Sequence, residues 1–171
     1  MAFHIAVIDA GSSGTRLFLY RVEPGPLARV EKIREQEFST MASGAKEDGI
    51  NNFVRPDDPA AQATVVPEII DPLMVHARGF LEGVGLEPAA VEVNLLATAG
   101  MRYAEGLHGR EAIDRLYDTI RAGIRAHGFS VGEVRTTCGS EEEGIWTWVN
   151  LNDTLYGVFD RDHEPVGVVE V

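Results

Sequence analysis

A short turn rich in glycine and serine is the part of this sequence best suited to chemistry. Residues 9–16 read Asp-Ala-Gly-Ser-Ser-Gly-Thr-Arg and follow a run of apolar residues. Gly11 and Gly14 let the backbone turn tightly and approach a ligand closely, and successive N–H groups in such a turn form a concave anion site. Neutral hydroxyl donors come from Ser12, Ser13 and Thr15. Taken alone, the turn is equally compatible with a polar β-turn that satisfies only its own backbone.

Charge restricts what such a turn can bind. The chain has a formal net charge of −12, which repels the backbone of nucleic acids and anionic membranes, so we expect neither as a partner. A polyanionic ligand is repelled as well unless a cation and local donors compensate. Asp9, at the start of the turn, supplies a carboxylate where a divalent cation or its water can sit. A phosphate site here should therefore rest on amides, hydroxyls and a metal.

Two further segments place polar residues next to predicted element boundaries. Residues 97–102 (ATAGMR) follow a predicted strand, so that Thr98 stands at its end. Residues 139–152 (GSEEEGIWTWVNLN) begin with three adjacent glutamates. Acids in the first turn of a helix are favoured by the helix dipole, so the acidic triplet alone needs no catalytic role. Neighbouring side chains also point in different directions around a helix, so at most one or two of them face a given site.

The elements that position these segments follow from hydrophobic periodicity and from turn residues. Strands are predicted over residues 3–8, 15–22, 27–38, 91–97, 131–137 and 166–171, and a loop over residues 40–58. Helices are predicted from Asp58-Pro59 to about Gly85, over residues 109–127, and over residues 141–152. Pro72 can kink or split the first of these helices. Three successive strands with short connections indicate an antiparallel meander, after which helices and strands alternate.

This order predicts an α/β fold: a mixed sheet with a three-strand antiparallel meander and flanking helices, as in the ribonuclease-H-like domain of actin-like ATPases. The 171 residues suffice for one domain with a substantial core, and we predict a single domain over residues 1–171. Cys138 is the only cysteine, which excludes an intrachain disulfide. No stretch approaches transmembrane length and no signal peptide is evident. We expect a cytoplasmic location, unless an export signal has been replaced.

The three polar segments together resemble the signatures of the apyrase family of nucleoside triphosphate diphosphohydrolases. DAGSSGTR is similar to its first signature, ATAGMR to its second and GSEEEGIWTWVNLN to its third, in family order and with family-like spacing. The third departs from the family pattern at Ser140, Asn150 and Asp153. The resemblance implies a hydrolase that binds nucleotides such as ATP and, with a metal, converts nucleoside tri- and diphosphates to monophosphate and inorganic phosphate.

The same resemblance implies roles for individual residues. Phosphate contacts are expected from Gly11, Ser12, Ser13, Gly14, Thr15, Arg16, Ala99 and Gly100. Metal contacts, mostly through water to Mg²⁺ or Ca²⁺, are expected from Asp9, Thr98 and Glu170. Glu143 is expected to be the general base that orients and deprotonates the attacking water, with Glu142 in its place if the register differs by one. Arg16 is equally compatible with a strand residue that faces solvent.

The family also sets expectations beyond this chain. It continues into a second phosphate loop and a second domain, so we expect these residues to be the N-terminal half of a two-domain enzyme and to be inactive alone. The expected partners are nucleoside di- and triphosphates and the C-terminal domain of the same parent protein. Two alternatives stay open. One is an exopolyphosphatase or guanosine pentaphosphate phosphohydrolase of the same superfamily, and the other is an isolated nucleotide-binding domain without turnover.

Overall fold

A mixed β-sheet is the centre of the fold. A computed structural model of the chain describes residues 1–12, 14–25, 29–33, 38–39, 49–156, 164 and 166–168. The strands in this part of the chain are β1 (Phe3–Gly11), β2 (Gly14–Glu23), β3 (Arg29–Lys32), β4 (Phe38–Ser39), β5 (Val91–Ala97) and β6 (Ser130–Thr136). Their order is β3-β2-β1-β5-β6, and β4 pairs with β2 beside that path.

The directions of the strands match the predicted meander. β1 lies between β2, to which it is antiparallel, and β5, to which it is parallel. β2 is antiparallel to β3 and to β4, and β5 is parallel to β6. The predicted mixed sheet of a ribonuclease-H-like domain is therefore confirmed. The predicted strand over residues 27–38 is represented by β3 and β4, while residues 26–28 and 34–37 lie outside the described residues.

The helices have sharper boundaries than the sequence predicts. They are α1 (Pro59–Ala63), α2 (Asp71–Gly83), α3 (Ala99–His108), α4 (Arg110–Ala126) and α5 (Gly144–Tyr156). α1 begins as predicted, because the Asp58 side chain accepts a hydrogen bond from the Ala61 N–H at 3.0 Å. The predicted long helix is divided by a π-helical segment, Val66–Ile70, before α2 begins. Pro67 and Pro72 lack the N–H that a regular helix would use at these points.

One face of the sheet carries the core. Alternate residues such as Ala6, Ile8 and Leu95 are fully buried and form one cluster with the apolar faces of α2 and α4. The opposite face carries half-buried and exposed side chains, for example Val7 and Glu92. Because side chains alternate across a strand, this pattern shows that α2 and α4 pack on one face of the sheet.

α3 is an element that the sequence analysis missed. The expected turn at residues 98–100 continues directly into this helix, which begins at Ala99. Only Met101 and Ala104 of α3 are buried, so the apolar periodicity of the segment is weak. Gly100 and Gly106 also lower its helix propensity. The helix is therefore fixed by packing rather than by its own sequence preference.

The chain divides into two compact units, Met1–Thr136 and Thr137–Val171, and the single domain over residues 1–171 stays a prediction. In the second unit, a π-helical segment (Gly139–Glu143) precedes α5. Residues 166–168 do not form the expected strand. The Asn152 side chain instead bonds the backbone N–H and carbonyl of Val166, at 2.8 and 3.1 Å, and so takes the groups that a strand partner would use. None of the described helices is both long and apolar enough to cross a membrane.

Candidate functional site

The turn between β1 and β2 has the geometry that its glycines predict. The two strands stay paired up to Gly11 and Gly14, which leaves only two residues to reverse the chain. Gly14 has a φ of 151°, a backbone conformation that favours glycine. Ser12 is exposed at the tip, and Ser13 lies outside the described residues. Ser12 is therefore presented to solvent at the end of the central strand.

Thr15 and Arg16 follow the turn but project in different directions. The Thr15 side chain is fully buried on the helix-covered face, and its hydroxyl oxygen has no hydrogen-bond partner. Arg16 is exposed and lies opposite Asp9 across the β1–β2 pair. Successive residues of a strand point to opposite faces of a sheet, so these two side chains cannot approach a ligand from the same side. A phosphate contact by Arg16 stays a prediction.

The second predicted segment joins the same edge of the sheet. The Thr98 N–H donates to the Ala10 carbonyl at 3.3 Å, which ties the start of α3 to the end of β1. Thr98 is the N-cap residue of α3. The side chain of an N-cap threonine usually accepts a hydrogen bond from the first turn of its helix, but the Thr98 side chain makes no such bond. Ala99 and Gly100 are the first two residues of the helix, so their N–H groups have no partner within it. These groups form the positive end of the helix dipole.

A third segment, which the sequence analysis treated as loop, completes this edge. A Cβ on Gly100 would lie 3.1 Å from both Cα and Cβ of Ser12 and 2.8 Å from Oδ1 of Asn51. A Cβ on Gly49 would lie 2.6 Å from the Gly11 carbonyl oxygen and 2.6 Å from the same Asn51 atom. Three segments therefore pack closely, backbone against backbone. We call them the glycine wall: Gly11–Ser12, Gly49–Asn51 and Thr98–Gly100.

The sequence around Gly49–Asn51 indicates only weakly that this segment is ordered. Ile50 and Phe53 are buried, with exposed fractions of 0% and 8%, and they anchor a short 3₁₀ helix, Ile50–Phe53. An i, i+3 apolar pair directly after a glycine is the one local indication that part of this predicted loop is ordered. The pair faces the core, and Asn51 is left beside the wall.

The donors near the wall fit a hydrated divalent cation. Asp9, near the end of β1, is half-buried, Thr98 does not cap its own helix, and Oδ1 of Asn51 is buried without a partner. Within the described ranges, no cluster of three or more His, Cys, Asp or Glu side chains is present. Mg²⁺ typically keeps several waters and takes one or two carboxylates together with phosphate oxygens. Asp9 offers one carboxylate, and Thr98 and Asn51 offer neutral oxygens, a donor set that suits a cation held mostly through water. Glu170 lies outside the described residues.

The third predicted segment forms a self-contained acidic turn, which we define as residues 137–143. Oε2 of Glu142 accepts a hydrogen bond from the Cys138 N–H at 2.7 Å. Oε1 of Glu143 accepts one from the Thr137 hydroxyl at 2.5 Å. Hydrogen bonding with the Ser140 hydroxyl, and then with backbone N–H groups, lowers the pKa of the exposed Cys138 thiol below its ordinary value. Both glutamates are half-buried, and the segment fixes at least one oxygen of each.

The structure thus brings together part of the predicted set. The glycine wall contains five of the predicted residues: Gly11, Ser12, Thr98, Ala99 and Gly100. Asp9 lies near the end of β1, beside β5. Thr15 lies beneath the turn and Arg16 on the other face of the sheet. Glu143 belongs to the second unit, where the acidic turn orders it. Gly49 and Asn51 are the members of the site that the sequence analysis missed.

Comparison with known proteins supports the predicted family over most of the chain. Residues 2–169 match the GDA1/CD39 (nucleoside phosphatase) family. "Probable apyrase 6" of Arabidopsis thaliana is 29% identical over 96% of this chain and 27% of its own length. "Nucleoside-diphosphatase uda-1" of Caenorhabditis elegans is 28% identical over 96% of this chain and 32% of its own length. The chain therefore spans about three-tenths of the length of these relatives.

Among solved structures, a Ppx/GppA family member from Aquifex aeolicus is similar with a TM-score of 0.49 and 20% identity, over 91% of this chain and 41% of that one. The family match covers nearly every residue, including all three segments on which the resemblance was based. This chain belongs to the GDA1/CD39 (nucleoside phosphatase) family, which confirms the predicted apyrase-type resemblance.

Proposed function

We propose that this chain supplies the phosphate-gripping half of a metal-dependent enzyme that hydrolyses nucleoside tri- and diphosphates to monophosphate and inorganic phosphate. The observation that carries the proposal is the glycine wall, where Ser12 of the first signature lies against Gly100 of the second. The names of the relatives, an apyrase and a nucleoside-diphosphatase, support the substrate class. The other half of the site is proposed to come from a C-terminal domain of the same parent protein.

The wall suits a phosphate because it binds anions without basic side chains. Phosphoanhydride hydrolysis depends on neutralising and positioning the phosphate oxygens. In the proposal, the backbone N–H groups of Ser12, Ala99 and Gly100 donate to these oxygens, helped by the positive end of the α3 dipole. Asp9 and Thr98 hold water around Mg²⁺ or Ca²⁺, which, when bound, offsets the remaining charge. This arrangement explains how a chain of net charge −12 can retain a polyanion.

Glu143 is the proposed general base. In this role its carboxylate takes a proton from the attacking water while the water oxygen forms the new bond to the terminal phosphorus. The bridging P–O bond breaks, the shortened nucleotide departs, and the terminal phosphate is released as inorganic phosphate. The 2.5 Å hydrogen bond from Thr137 fixes the orientation of this side chain, which a general base requires. Family resemblance selects Glu143 over Glu142, and the bond between Glu142 and the Cys138 N–H supports a structural role for Glu142.

The proposal is tested first by binding and then by turnover. Calorimetric titration of this chain with ADP and with ATP, each with and without Mg²⁺ or Ca²⁺, is expected to show metal-dependent binding. Absence of binding to both nucleotides under all conditions would overturn the proposal. Release of inorganic phosphate is then measured from ATP, ADP, GTP and long-chain polyphosphate. Release from ATP and ADP that is lost in Glu143→Gln, with binding retained, supports the assigned base. A strong preference for polyphosphate would favour the exopolyphosphatase alternative instead.

A further inference from the structure

Asn51 contains the most unusual polar atom of the glycine wall. Its Oδ1 is buried and has no hydrogen-bond partner, although it lies where a Cβ on Gly49 or Gly100 would collide with it, at 2.6 and 2.8 Å. Buried carbonyl groups are nearly always paired, so an exception in a native fold calls for an explanation. Leaving such a group unpaired lowers the stability of the fold. A ligand that supplies the missing donor would remove this cost.

The orientation of the amide limits what that ligand is. Nδ2 of Asn51 donates to Oδ1 of Asn52 at 3.1 Å, so the atom turned toward the glycines is the acceptor. A phosphate oxygen is itself an acceptor and cannot satisfy it. Water can, and water polarised by a divalent cation is a particularly strong donor. The atom lies within the wall, between Gly49 and Gly100 and beside the backbone of Ser12.

We propose that Asn51 is a metal-hydration residue: its Oδ1 accepts a hydrogen bond from a water that hydrates the divalent cation of a bound metal–nucleotide. This inference rests on the proposed function and adds a residue that lies outside the three signature segments. Two glycines make the arrangement possible, since any side chain at residue 49 or 100 would occupy the space of the amide. Thr15, fully buried beneath the adjacent turn, offers a second unpaired oxygen at the same end of the sheet.

Substitutions at Asn51 separate this role from simple packing. The probe is AMP-PNP, an ATP analogue that is not hydrolysed, titrated into this chain with and without Mg²⁺. Asn51→Leu keeps the size of the side chain but removes the acceptor, and it is expected to weaken Mg²⁺-dependent binding by about 10–100-fold, as loss of an outer-sphere metal partner does. Asn51→Asp keeps the acceptor and adds a negative charge. It is expected to maintain or strengthen binding with Mg²⁺ and to weaken binding without it.

Asn94→Asp is the matched control for the added charge, because Oδ1 of Asn94 accepts from the Glu133 N–H at 2.7 Å and aspartate can do the same. It loses the bond from Nδ2 of Asn94 to Oε1 of Glu92 at 3.3 Å, so its thermal unfolding is measured as well. It adds the same negative charge, at a position in β5. Because salt screens this charge, the affinity for AMP-PNP with Mg²⁺ and the affinity without Mg²⁺ should each stay within about twofold of wild type. Equal Mg²⁺-dependent affinity in wild type and Asn51→Leu would overturn the inference and leave the proposed function standing. Weaker binding by Asn51→Asp with Mg²⁺ would also overturn it. If wild type shows no metal-dependent binding, the proposed function falls and the inference with it.

If Asn51→Leu does not fold, the folded Asn51→Asp variant tests the proposal. A packing role predicts that this variant loses the same affinity for AMP-PNP with and without Mg²⁺. Thermal unfolding of each variant in the absence of nucleotide provides the check on folding.

Discussion

The glycine wall and the acidic turn both carry polar groups of the family signatures, but the two regions satisfy them in opposite ways. In and beside the wall, the Thr15 hydroxyl and Oδ1 of Asn51 are buried without partners, and Thr98 does not cap its own helix. In the acidic turn, Glu142 and Glu143 accept hydrogen bonds from their own segment. The wall leaves polar groups for a ligand to satisfy, whereas the turn orders its carboxylates without one.

This difference predicts opposite responses to the same kind of change. Polar groups kept unpaired for a ligand lower the stability of the free protein, a common cost of a binding site. Polar groups that bond within their own turn raise stability. Replacing a polar group by an apolar one of similar shape should therefore stabilise the wall and destabilise the turn. Close packing in the wall, in contrast, should make it the region least tolerant of added volume.

The largest effect is expected for Gly49→Ala. The new Cβ would lie 2.6 Å from the Gly11 carbonyl oxygen and 2.7 Å from the Ser12 carbonyl carbon, and neither backbone atom can move without displacing the turn. Gly49 has a φ of −65°, so alanine suffers no backbone strain and only the collision matters. We expect the free energy of unfolding to fall toward the upper end of the range of about 1–3 kcal/mol seen for overpacking, measured by urea denaturation.

Gly79→Ala is the matched control for that experiment. It lies within α2 and a Cβ there meets nothing within 4 Å. Alanine should raise the free energy of unfolding by about 0.5–1 kcal/mol, because it favours the helix. A similar change in both variants would show that the wall is not close-packed, and would remove the packing argument for the site.

Thr15→Val tests the unpaired hydroxyl directly. Removing a buried donor that has no partner should raise the free energy of unfolding by about 1–3 kcal/mol, while metal-dependent ATP binding weakens. The same substitution in the acidic turn, Thr137→Val, removes the donor to Glu143 and should lower stability by about 0.5–1.5 kcal/mol. Urea denaturation measures both. If the two variants change stability in the same direction, the contrast between the regions is wrong.

Glu142→Ala examines how the acidic turn is held. Its carboxylate bonds the N–H of Cys138, the residue that precedes the π-helical segment, much as an acid reaches back in a capping box. Losing that bond should cost about 0.5–2 kcal/mol of local stability, read as faster amide hydrogen exchange in α5. The exposed neighbour Glu141 supplies the control, and Glu141→Ala should leave exchange in α5 close to wild type.

The sequence predicts elements well where apolar periodicity is strong, and fails where packing decides. β1, β2, β5 and α4 lie close to their predicted positions because each carries a regular apolar pattern. α3 was missed because only two of its residues are buried. The same distinction holds for the site. Its residues within the three signatures were predicted, but Gly49 and Asn51 join the wall through tertiary contacts alone. No local pattern encodes the approach of the Asn51 amide to Gly100, a residue 49 positions away.

The smallest expected effect concerns a buried unpaired atom outside the site. Nε2 of His76, on α2, has no partner, and its ring stacks on Phe38 with centroids 4.3 Å apart. Burial lowers the pKa of His76, so the folded state prefers the neutral ring. Its contribution to stability is therefore present above the unfolded pKa of about 6.5 and is lost as the pH falls through the lower folded value.

His76→Leu should remove this dependence while leaving nucleotide binding unchanged. Between pH 8 and pH 5, the free energy of unfolding of wild type should fall relative to that of the variant, by less than about 1.4 kcal/mol for each pH unit below the unfolded pKa. Urea denaturation across this range measures the difference, and the other histidines cancel because both proteins contain them. Parallel pH profiles would contradict the expectation. A loss of ATP binding in His76→Leu would instead show that unpaired buried atoms outside the wall also contribute to ATP binding.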